Sequence, residues 1–422
     1  MYEMSRLKEV QVMSSHRDNS GRPNRRDFFK KAAAIGLGAT LGGPSFWRPP
    51  QAAAQITIPK EPMPRRVFGR SSIMVSTLAL GGMFDILNNR LMLAQALDWG
   101  INYWDTAEGY GGGRSEEGIG RWFARNPRTR EQVFLVTKLS TRRGGEFTPR
   151  LEESLKRLHT DYVDLFFVHG IGDIGQMEVS LGSWSLEMKK AGKIRLFGFS
   201  THSNMEECLE GAAKLPWIDG IMFSYNYRLM HESRMKEAVE ACYRAGIGLT
   251  AMKTQGGGPV KSDSESELEM AGRFMQKGFS DSQAKLMAVW QDKRIASICS
   301  QMPNLTILAT NAVAATEQTR LSRSDRALLA QYAEETTSDY CAGCERFCSA
   351  VLGREVPIGD VMRCLMYFHS YQDHGLARST FQALPAQTGE LLKQLDFSEA
   401  ERSCPRKLQI GRLMREAATL FV

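Results

Sequence analysis

Four side chains in the sequence have the chemistry needed to deliver a proton to an oxygen atom that is gaining negative charge. They are the phenol of Tyr110, the ammonium of Lys138, the carboxyl of Asp105 and the imidazole of His169. A phenol has an ordinary pKa of about 10, which is too high for easy proton transfer near neutral pH. Because a neighbouring ammonium favours the phenolate, we expect Lys138 to lower the pKa of Tyr110. Asp105 could then hold Lys138 in an ion pair, and His169 could orient the substrate oxygen.

These side chains can meet only if the strands that carry them end at a common edge. The sequence predicts eight apolar strands, most of them separated by helical patterns: Met74–Gly82, Asn102–Ala107, Val133–Lys138, Val163–His169, Ile194–Ser200, Gly220–Asn226, Ile247–Lys253 and Ser297–Met302. Runs that are apolar at consecutive positions suit parallel strands buried on both faces. Eight repeats predict an α/β fold, the (β/α)8 TIM barrel, whose chemistry lies at the C-terminal strand ends. An open doubly wound sheet is the alternative, but no Gly-x-Gly-x-x-Gly opens a first helix.

The segment from Asp105 to Gly111, Asp-Thr-Ala-Glu-Gly-Tyr-Gly, is followed closely by Ser115 and Glu116. With a lysine and a histidine at the next two strand ends, it resembles the aldo-keto reductases, a family of (β/α)8 oxidoreductases that use nicotinamide cofactors. The resemblance covers residues 64–335. It implies hydride transfer to or from a small-molecule carbonyl or alcohol substrate. Tyr110 would then be the general acid in reduction and the base in oxidation, a role worth roughly 10²–10⁴-fold in rate.

The resemblance also implies a cofactor site, with NADP(H) as the family's usual cofactor and NAD(H) as the alternative. It places nicotinamide contacts at Ser200 and Asn226, and the predicted cofactor contacts as a whole are Gly82, Ser200, Asn226, Met252, Lys253, Gln301 and Asn311. The sequence departs from the family pattern at two places. Met252 and Lys253 stand where many relatives stack an aromatic ring on the nicotinamide. No basic residue follows the eighth strand before Arg320, so the residues themselves do not favour binding of the 2′-phosphate of NADP(H).

A cysteine-rich tail follows the predicted barrel. Its predicted metal ligands are Cys341, Cys344, Cys348 and Cys404. Spacings of three and four residues allow the first three to converge on one ion or cluster. Cys404 precedes Pro405, as the last ligand of bacterial iron–sulfur runs does, although the second spacing here is one residue longer. Some bacterial aldo-keto reductases carry a similar tail that looks iron–sulfur binding, so we expect a cluster of the 4Fe-4S type.

Other uses of the cysteines remain open. Structural zinc fits four cysteines on spacing, and disulfides become plausible in an exported protein. A c-type haem is excluded, because Glu345 follows Cys344 where a histidine is required. Cys364 is the other candidate for the fourth ligand, but it shares one helical face with apolar residues, and we interpret it as a core residue. Three further cysteines lie within strand or helix patterns and are also interpreted as core: Cys208, Cys242 and Cys299.

The N-terminal segment, residues 1–54, has the composition of an export signal. Arg25 and Arg26 precede Asp-Phe-Phe-Lys-Lys, a short apolar run covers residues 32–43, and three alanines end at Ala54. The apolar run is too short to cross roughly 30 Å of hydrocarbon. The paired arginines resemble the twin-arginine export signal of bacteria, which implies the twin-arginine machinery as a partner and a periplasmic or other extracytoplasmic location. A disordered basic tail is the alternative.

Charge and composition limit the remaining possibilities. The 422 residues carry 42% hydrophobic and 24% charged side chains, as in ordinary globular proteins. Residues 1–54 hold much of the net charge of +7, so the rest offers no electrostatic reason to bind nucleic acid. No later run is long enough to span a membrane. We therefore expect a signal segment at 1–54, a barrel at 63–335 and a cysteine-rich extension at 336–422.

Two functions are consistent with these features. The first is an exported oxidoreductase whose cluster exchanges electrons with a partner. The second is a nicotinamide-binding regulatory or structural subunit with a zinc or disulfide tail. The presence of all four proton-transfer residues favours the enzyme.

Overall fold

The computed structural model describes residues 58–140, 146–260, 264–317, 320–352 and 356–422. Its strands are β1 Arg65–Val67, β2 Met74–Ser76, β3 Leu78–Gly81, β4 Tyr103–Asp105, β5 Phe134–Leu139, β6 Val163–Ile171, β7 Ile194–Thr201, β8 Gly220–Ser224, β9 Gly248–Met252 and β10 Ile295–Gln301. The first ten helices are α1 Leu91–Asp98, α2 Arg114–Arg125, α3 Phe147–Leu158, α4 Val179–Lys190, α5 Met205–Ala212, α6 Ser233–Arg244, α7 Glu265–Gln276, α8 Asp281–Trp290, α9 Leu305–Thr316 and α10 Arg323–Glu335. Six more follow: α11 Glu345–Cys348, α12 Ile358–His369, α13 His374–Gln382, α14 Thr388–Gln394, α15 Ser398–Ser403 and α16 Ile410–Phe421. The predicted export signal lies outside the described residues.

Strands β3 to β10 form a closed parallel barrel in which β10 pairs with both β3 and β9. The predicted (β/α)8 barrel is therefore confirmed. One predicted strand, Met74–Gly82, is wrong in its extent, because the structure divides it at Thr77. The first part, β2, pairs antiparallel with β1, whereas the second part, β3, enters the barrel.

A buried aromatic ring closes the N-terminal end of the barrel. Phe68, between β1 and β2, is fully buried and packs against β8 and β9. A Cβ atom placed on Gly248 would lie 2.4 Å from its ring, and one placed on Gly220 would lie 2.9 Å from it. These strands therefore need glycine where the ring passes. Above the ring, the barrel interior is filled by apolar side chains from several strands, including Tyr103 and Phe134.

The helices around the barrel present one apolar face to the strands. In α2, for example, Ile119 and Phe123 are buried, and the Phe123 ring stacks on Trp104 of β4 with centroids 5.8 Å apart. This packing fixes the strands and leaves their C-terminal ends to carry polar side chains.

The extension after α10 has an apolar core of its own and also lies against the C-terminal end of the barrel. Its core includes Val361, Leu365, Leu413 and Met414 from α12 and α16. Polar contacts join it to the barrel: Asn204 N donates to the Gly343 carbonyl at 2.8 Å, and Ser370 Oγ donates to the Gly258 carbonyl at 2.7 Å. Among the described residues, no helix combines the length and the apolar character needed to span a membrane.

Candidate active site

The structure brings the four predicted proton-transfer residues together at the C-terminal end of the barrel. Asp105 ends β4, Lys138 lies in β5, His169 lies in β6, and Tyr110 begins the turn after β4. Lys138 Nζ lies 2.6 Å from the Asp105 carboxylate and donates to the Thr106 carbonyl at 2.8 Å. The same nitrogen is 3.4 Å from Tyr110 Oη. The rings of Tyr110 and His169 meet edge to face, with centroids 5.7 Å apart.

The turn that carries Tyr110 is held in place by the Gly and Ser residues that follow it. Gly111, Gly112 and Gly113 have φ angles of 58°, 66° and 94°, in the left-handed region that favours glycine. Ser115 Oγ, at the start of α2, then donates to the Gly82 carbonyl at 2.7 Å. The Gly-rich turn therefore reverses the chain, and Ser115 ties it to the end of β3.

The electrostatics of Tyr110 differ from the sequence-based expectation. Burial, followed by the nearby Asp105 carboxylate, raises the pKa of Tyr110 well above its ordinary value. The predicted lowering by Lys138 is wrong in direction, because burial and the Asp105 carboxylate both favour the neutral phenol. Burial also raises the pKa of Asp105, and the Lys138 ammonium opposes that effect. The phenol is consequently held in its protonated form, which is the form that can donate a proton.

A cleft of about 900 Å³ opens above these residues and has two walls. The barrel supplies one wall from its strand ends, including Tyr110 and His169. The extension supplies the other wall, with Arg363, Tyr367 and Tyr371 from α12 and the turn after it. The extension is therefore part of the candidate active site, a role that the sequence-based interpretation missed.

Three of the predicted cofactor contacts line this cleft: Met252, Lys253 and Gln301. Gly82 lies behind it, where a Cβ atom would be 2.6 Å from the Asp105 carbonyl. Ser200 Oγ is buried and accepts a hydrogen bond from Gly170 N at 3.1 Å.

The two predicted asparagines are also engaged within the protein. Asn226 is fully buried and donates to Tyr340 Oη of the extension at 3.0 Å and to the Lys253 carbonyl at 3.2 Å. Asn311 Nδ2 donates to Ser300 Oγ at 3.1 Å. The structure therefore assigns Asn226 a part in joining the extension to the barrel.

On the barrel side of the cleft, Cys299 and His202 carry titratable groups that were not singled out from the sequence as site residues. Cys299, interpreted as a core residue, is half-buried and lines the cleft, whereas Cys208 and Cys242 are buried as expected. Cys299 lies in β10, and its side chain faces the barrel interior beside Asp105. His202, just after β7, also lines the cleft, and its Nδ1 atom lies 3.1 Å from Ser224 Oγ. Strand periodicity does not identify such inward-facing polar residues as parts of a site.

The four predicted metal ligands of the extension line one small cavity: Cys341, Cys344, Cys348 and Cys404. All eight cysteines lie among the described residues, and none of them is in a disulfide in this structure. Burial raises the pKa of Cys344 to about 12, with nearby thiols next, and that of Cys348 to about 11, with the Glu345 carboxylate next. Among the described residues, no three His, Cys, Asp or Glu side chains are gathered closely enough for a single metal ion. Cys364 is fully buried in the apolar core of the extension.

A protein-family model described as "Aldo/keto reductase family" matches residues 85–310, and the chain belongs to this family. Among curated proteins, the chain is 30% identical over 183 residues to the aldo-keto reductase yakc [NADP(+)] of Schizosaccharomyces pombe. It is 35% identical over 183 residues to the aldo-keto reductase YhdN of Bacillus subtilis. Each match covers 40% of this chain and 53% of the relative. The chain thus spans about half the length of these two relatives.

Solved structures share the barrel. An aldo-keto reductase from Klebsiella pneumoniae in complex with NADPH has a TM-score of 0.53 at 22% identity, covering 64% of this chain and 95% of that one. An aldo-keto reductase from Bacillus halodurans has a TM-score of 0.52 at 22% identity, covering 67% and 98%. These similarities establish the common fold.

Proposed function

We propose that this protein is an oxidoreductase that transfers a hydride between a nicotinamide cofactor, NADP(H) rather than NAD(H), and a small-molecule carbonyl or alcohol. The observation that carries the proposal is the position of the protonated Tyr110 phenol, 3.4 Å from Lys138 Nζ in the wall of a cleft. Family membership supports the chemistry. The NADP(+) in the name of the yeast relative and the NADPH in the Klebsiella complex support the choice of cofactor.

The residues of the cleft fit a nicotinamide cofactor in part. Met252 and Gln301 would contact it, and when bound it would supply the hydride. Tyr110 holds the proton that the carbonyl oxygen takes up in reduction, and the Lys138–Asp105 pair positions the phenol. His169 meets the Tyr110 ring edge to face and would orient the same oxygen.

The test is the replacement Tyr110→Phe, with Tyr243→Phe on the exposed surface of α6 as the control. We expect Tyr110→Phe to lower kcat for NADPH-dependent aldehyde reduction by about 10²–10⁴-fold, the range of a positioned general acid. NADPH affinity, measured by fluorescence titration, should change little. Full activity in Tyr110→Phe would overturn the assignment. NADPH binding without turnover in the unmodified protein would instead favour the regulatory subunit.

We further propose that the extension holds an iron–sulfur cluster of the 4Fe-4S type through Cys341, Cys344, Cys348 and Cys404. The convergence of these four cysteines on one cavity supports the proposal. Cys404 precedes Pro405, as the last ligand of bacterial iron–sulfur runs does, which favours a cluster over zinc. Bound there, the cluster would supply one-electron transfer to a protein partner.

Metal analysis of anaerobically purified protein tests the cluster. We expect about four iron and four acid-labile sulfide per chain, lost in Cys404→Ser but retained in the matched control Cys364→Ala. One zinc per chain, or oxidised thiols without metal, would contradict the proposal.

We also propose that residues 1–54 direct twin-arginine export to an extracytoplasmic location. The paired Arg25 and Arg26 before an apolar run support this. A reporter fused to residues 1–54 should be exported in bacteria, and replacing both arginines by lysine should retain it in the cytoplasm. Export of the doubly substituted fusion would exclude the twin-arginine route.

A further inference from the structure

We propose that Lys253 of the barrel and Arg363 of the extension form an anion subsite that selects carbonyl substrates carrying a carboxylate group. The inference rests on the proposed function, because it names the class of substrate that the cleft would take. It adds a specificity determinant that comes from the extension, outside the part of the chain that matches the family.

Lys253 is fixed so that its ammonium faces the cleft. Its backbone is left-handed, with a φ of 56°, and its carbonyl accepts hydrogen bonds from Gly256 N at 3.0 Å and Asn226 Nδ2 at 3.2 Å. Its Nζ atom donates to Tyr367 Oη at 2.7 Å and lies 4.3 Å from the centre of that ring. Within the part of the chain that the structure describes, Lys253 has no ion pair with a carboxylate.

The other charges in the cleft are already compensated. Arg363 pairs with Asp360 at 2.7 Å, and Lys138 pairs with Asp105. Asp373 caps the N-terminus of α13, where its carboxylate accepts from Leu376 N at 2.9 Å. Lys253 therefore contributes a positive charge that none of these carboxylates neutralises.

Lys253 is half-buried, so its charge is partly shielded from water. The Arg363 side chain is only 17% exposed. Burial, with Arg363 and Lys253 next, holds the pKa of His202 well below its ordinary value, so this imidazole is neutral and adds no charge. A buried charge without a partner is unfavourable, and a bound monoanion would compensate it. The arginine can add N–H donors in a planar fork that suits a carboxylate.

The subsite is close to the reacting centre. Tyr367, which accepts the hydrogen bond from Lys253, lines the same cleft as Tyr110. A small substrate can therefore place its carbonyl at Tyr110 and its carboxylate at Lys253. This describes an oxo-carboxylic acid, the class for which the geometry is suited.

The experiment compares two aldehydes of similar size, 4-carboxybenzaldehyde and methyl 4-formylbenzoate, in the full-length protein. We expect the unmodified protein to prefer the acid in kcat/KM. Lys253→Met should lower the ratio of acid to ester at least about tenfold, which corresponds to about 1.4 kcal/mol. Lys253→Arg should retain most of the preference. Lys156→Met, at an exposed position on α3, is the matched control and should leave the ratio unchanged.

Three further measurements separate the possible outcomes. An unchanged ratio in Lys253→Met, with weaker NADPH binding, would assign the ammonium to a cofactor phosphate and overturn the proposal. If neither aldehyde is reduced, the proposed function fails, and calorimetric binding of 4-carboxybenzaldehyde then tests the subsite alone. Equal affinity of the unmodified protein and Lys253→Met for 4-carboxybenzaldehyde would overturn the anion subsite. Loss of that binding in Lys253→Met would support it. If Lys253→Met fails to fold, the double variant Asp360→Asn with Arg363→Gln must lower the same ratio.

Discussion

The barrel and the extension handle ionisable groups in opposite ways. In the barrel, the buried Lys138 is paired with Asp105, so the charges of these two proton-transfer residues cancel within the protein. In the extension, four thiols surround one cavity, and their ionised forms would repel one another. The barrel can therefore build its site from its own side chains. In the extension, burial favours the neutral thiol at Cys341, Cys344 and Cys348, so only the proposed cluster would introduce thiolates there.

The largest expected effect is on the barrel, from breaking its buried ion pair. Lys138→Met should lower the free energy of unfolding by about 3–5 kcal/mol, because the Asp105 carboxylate would be left buried without its partner. Adding Asp105→Asn should recover part of the loss, as the uncompensated charge disappears. Denaturant unfolding followed by far-UV circular dichroism measures both variants. A loss below about 1 kcal/mol in Lys138→Met would mean that the pair is solvated and that the contrast with the extension is wrong.

A smaller effect, confined to the docking of the extension, is expected from Gly343→Ala. Gly343 has a φ of 75°, and a Cβ atom there would lie 2.1 Å from the His202 carbonyl. We expect a loss of about 2 kcal/mol, seen as faster proteolysis within residues 336–422 while the barrel stays intact. Gly272→Ala in α7 is the matched control, because nothing lies within 4 Å of its Cβ position and helix propensity favours alanine. Equal proteolysis of Gly343→Ala and Gly272→Ala would show that the backbone at Gly343 does not keep the extension docked on the barrel.

Removing the hydrogen bond between Asn226 and Tyr340 is a milder test of the contact between the extension and the barrel. Tyr340→Phe removes the phenol oxygen that accepts from Asn226 Nδ2 at 3.0 Å. The expected loss is about 1 kcal/mol in the free energy of unfolding, the usual net worth of such a bond. Tyr243→Phe, at an exposed position, should be neutral. A stability equal to that of the unmodified protein would leave this contact without a role in docking.

The smallest expected effect is that of pH on reduction. Because burial raises the pKa of Tyr110, the phenol stays protonated through neutral pH, and its capacity to donate a proton is lost only as the pH rises through that raised value. We therefore expect kcat/KM for reduction to stay level between about pH 7 and 9, below the ordinary tyrosine pKa of about 10. An alkaline decline near pH 8 that disappears in Tyr110→Phe would show that Lys138 lowers the pKa after all.

The features that the sequence predicted correctly are those with a short-range signal. Alternating strands and helices predicted the barrel, and Asp105, Lys138 and His169 were identified because each ends an apolar run. The pKa of Tyr110 was mispredicted because its direction depends on the ion pair and burial together. Arg363 and Tyr367 reach the cleft only because α12 packs across the barrel, and helical periodicity does not specify which surface a helix covers. An arginine within the apolar pattern of α12 was the one available signal that this helix faces something polar.

The arrangement of the cleft also imposes an order of events during synthesis. Domains generally fold as they emerge, N-terminal parts first. Every strand of the barrel leaves the ribosome before Arg363 and Tyr371, which form the second wall. The mouth of the barrel is therefore open while the chain is growing and becomes covered only when the extension docks. A molecule that binds between the two walls has its widest entrance during that interval. How easily a cofactor enters would therefore depend on whether it is supplied before or after the extension docks.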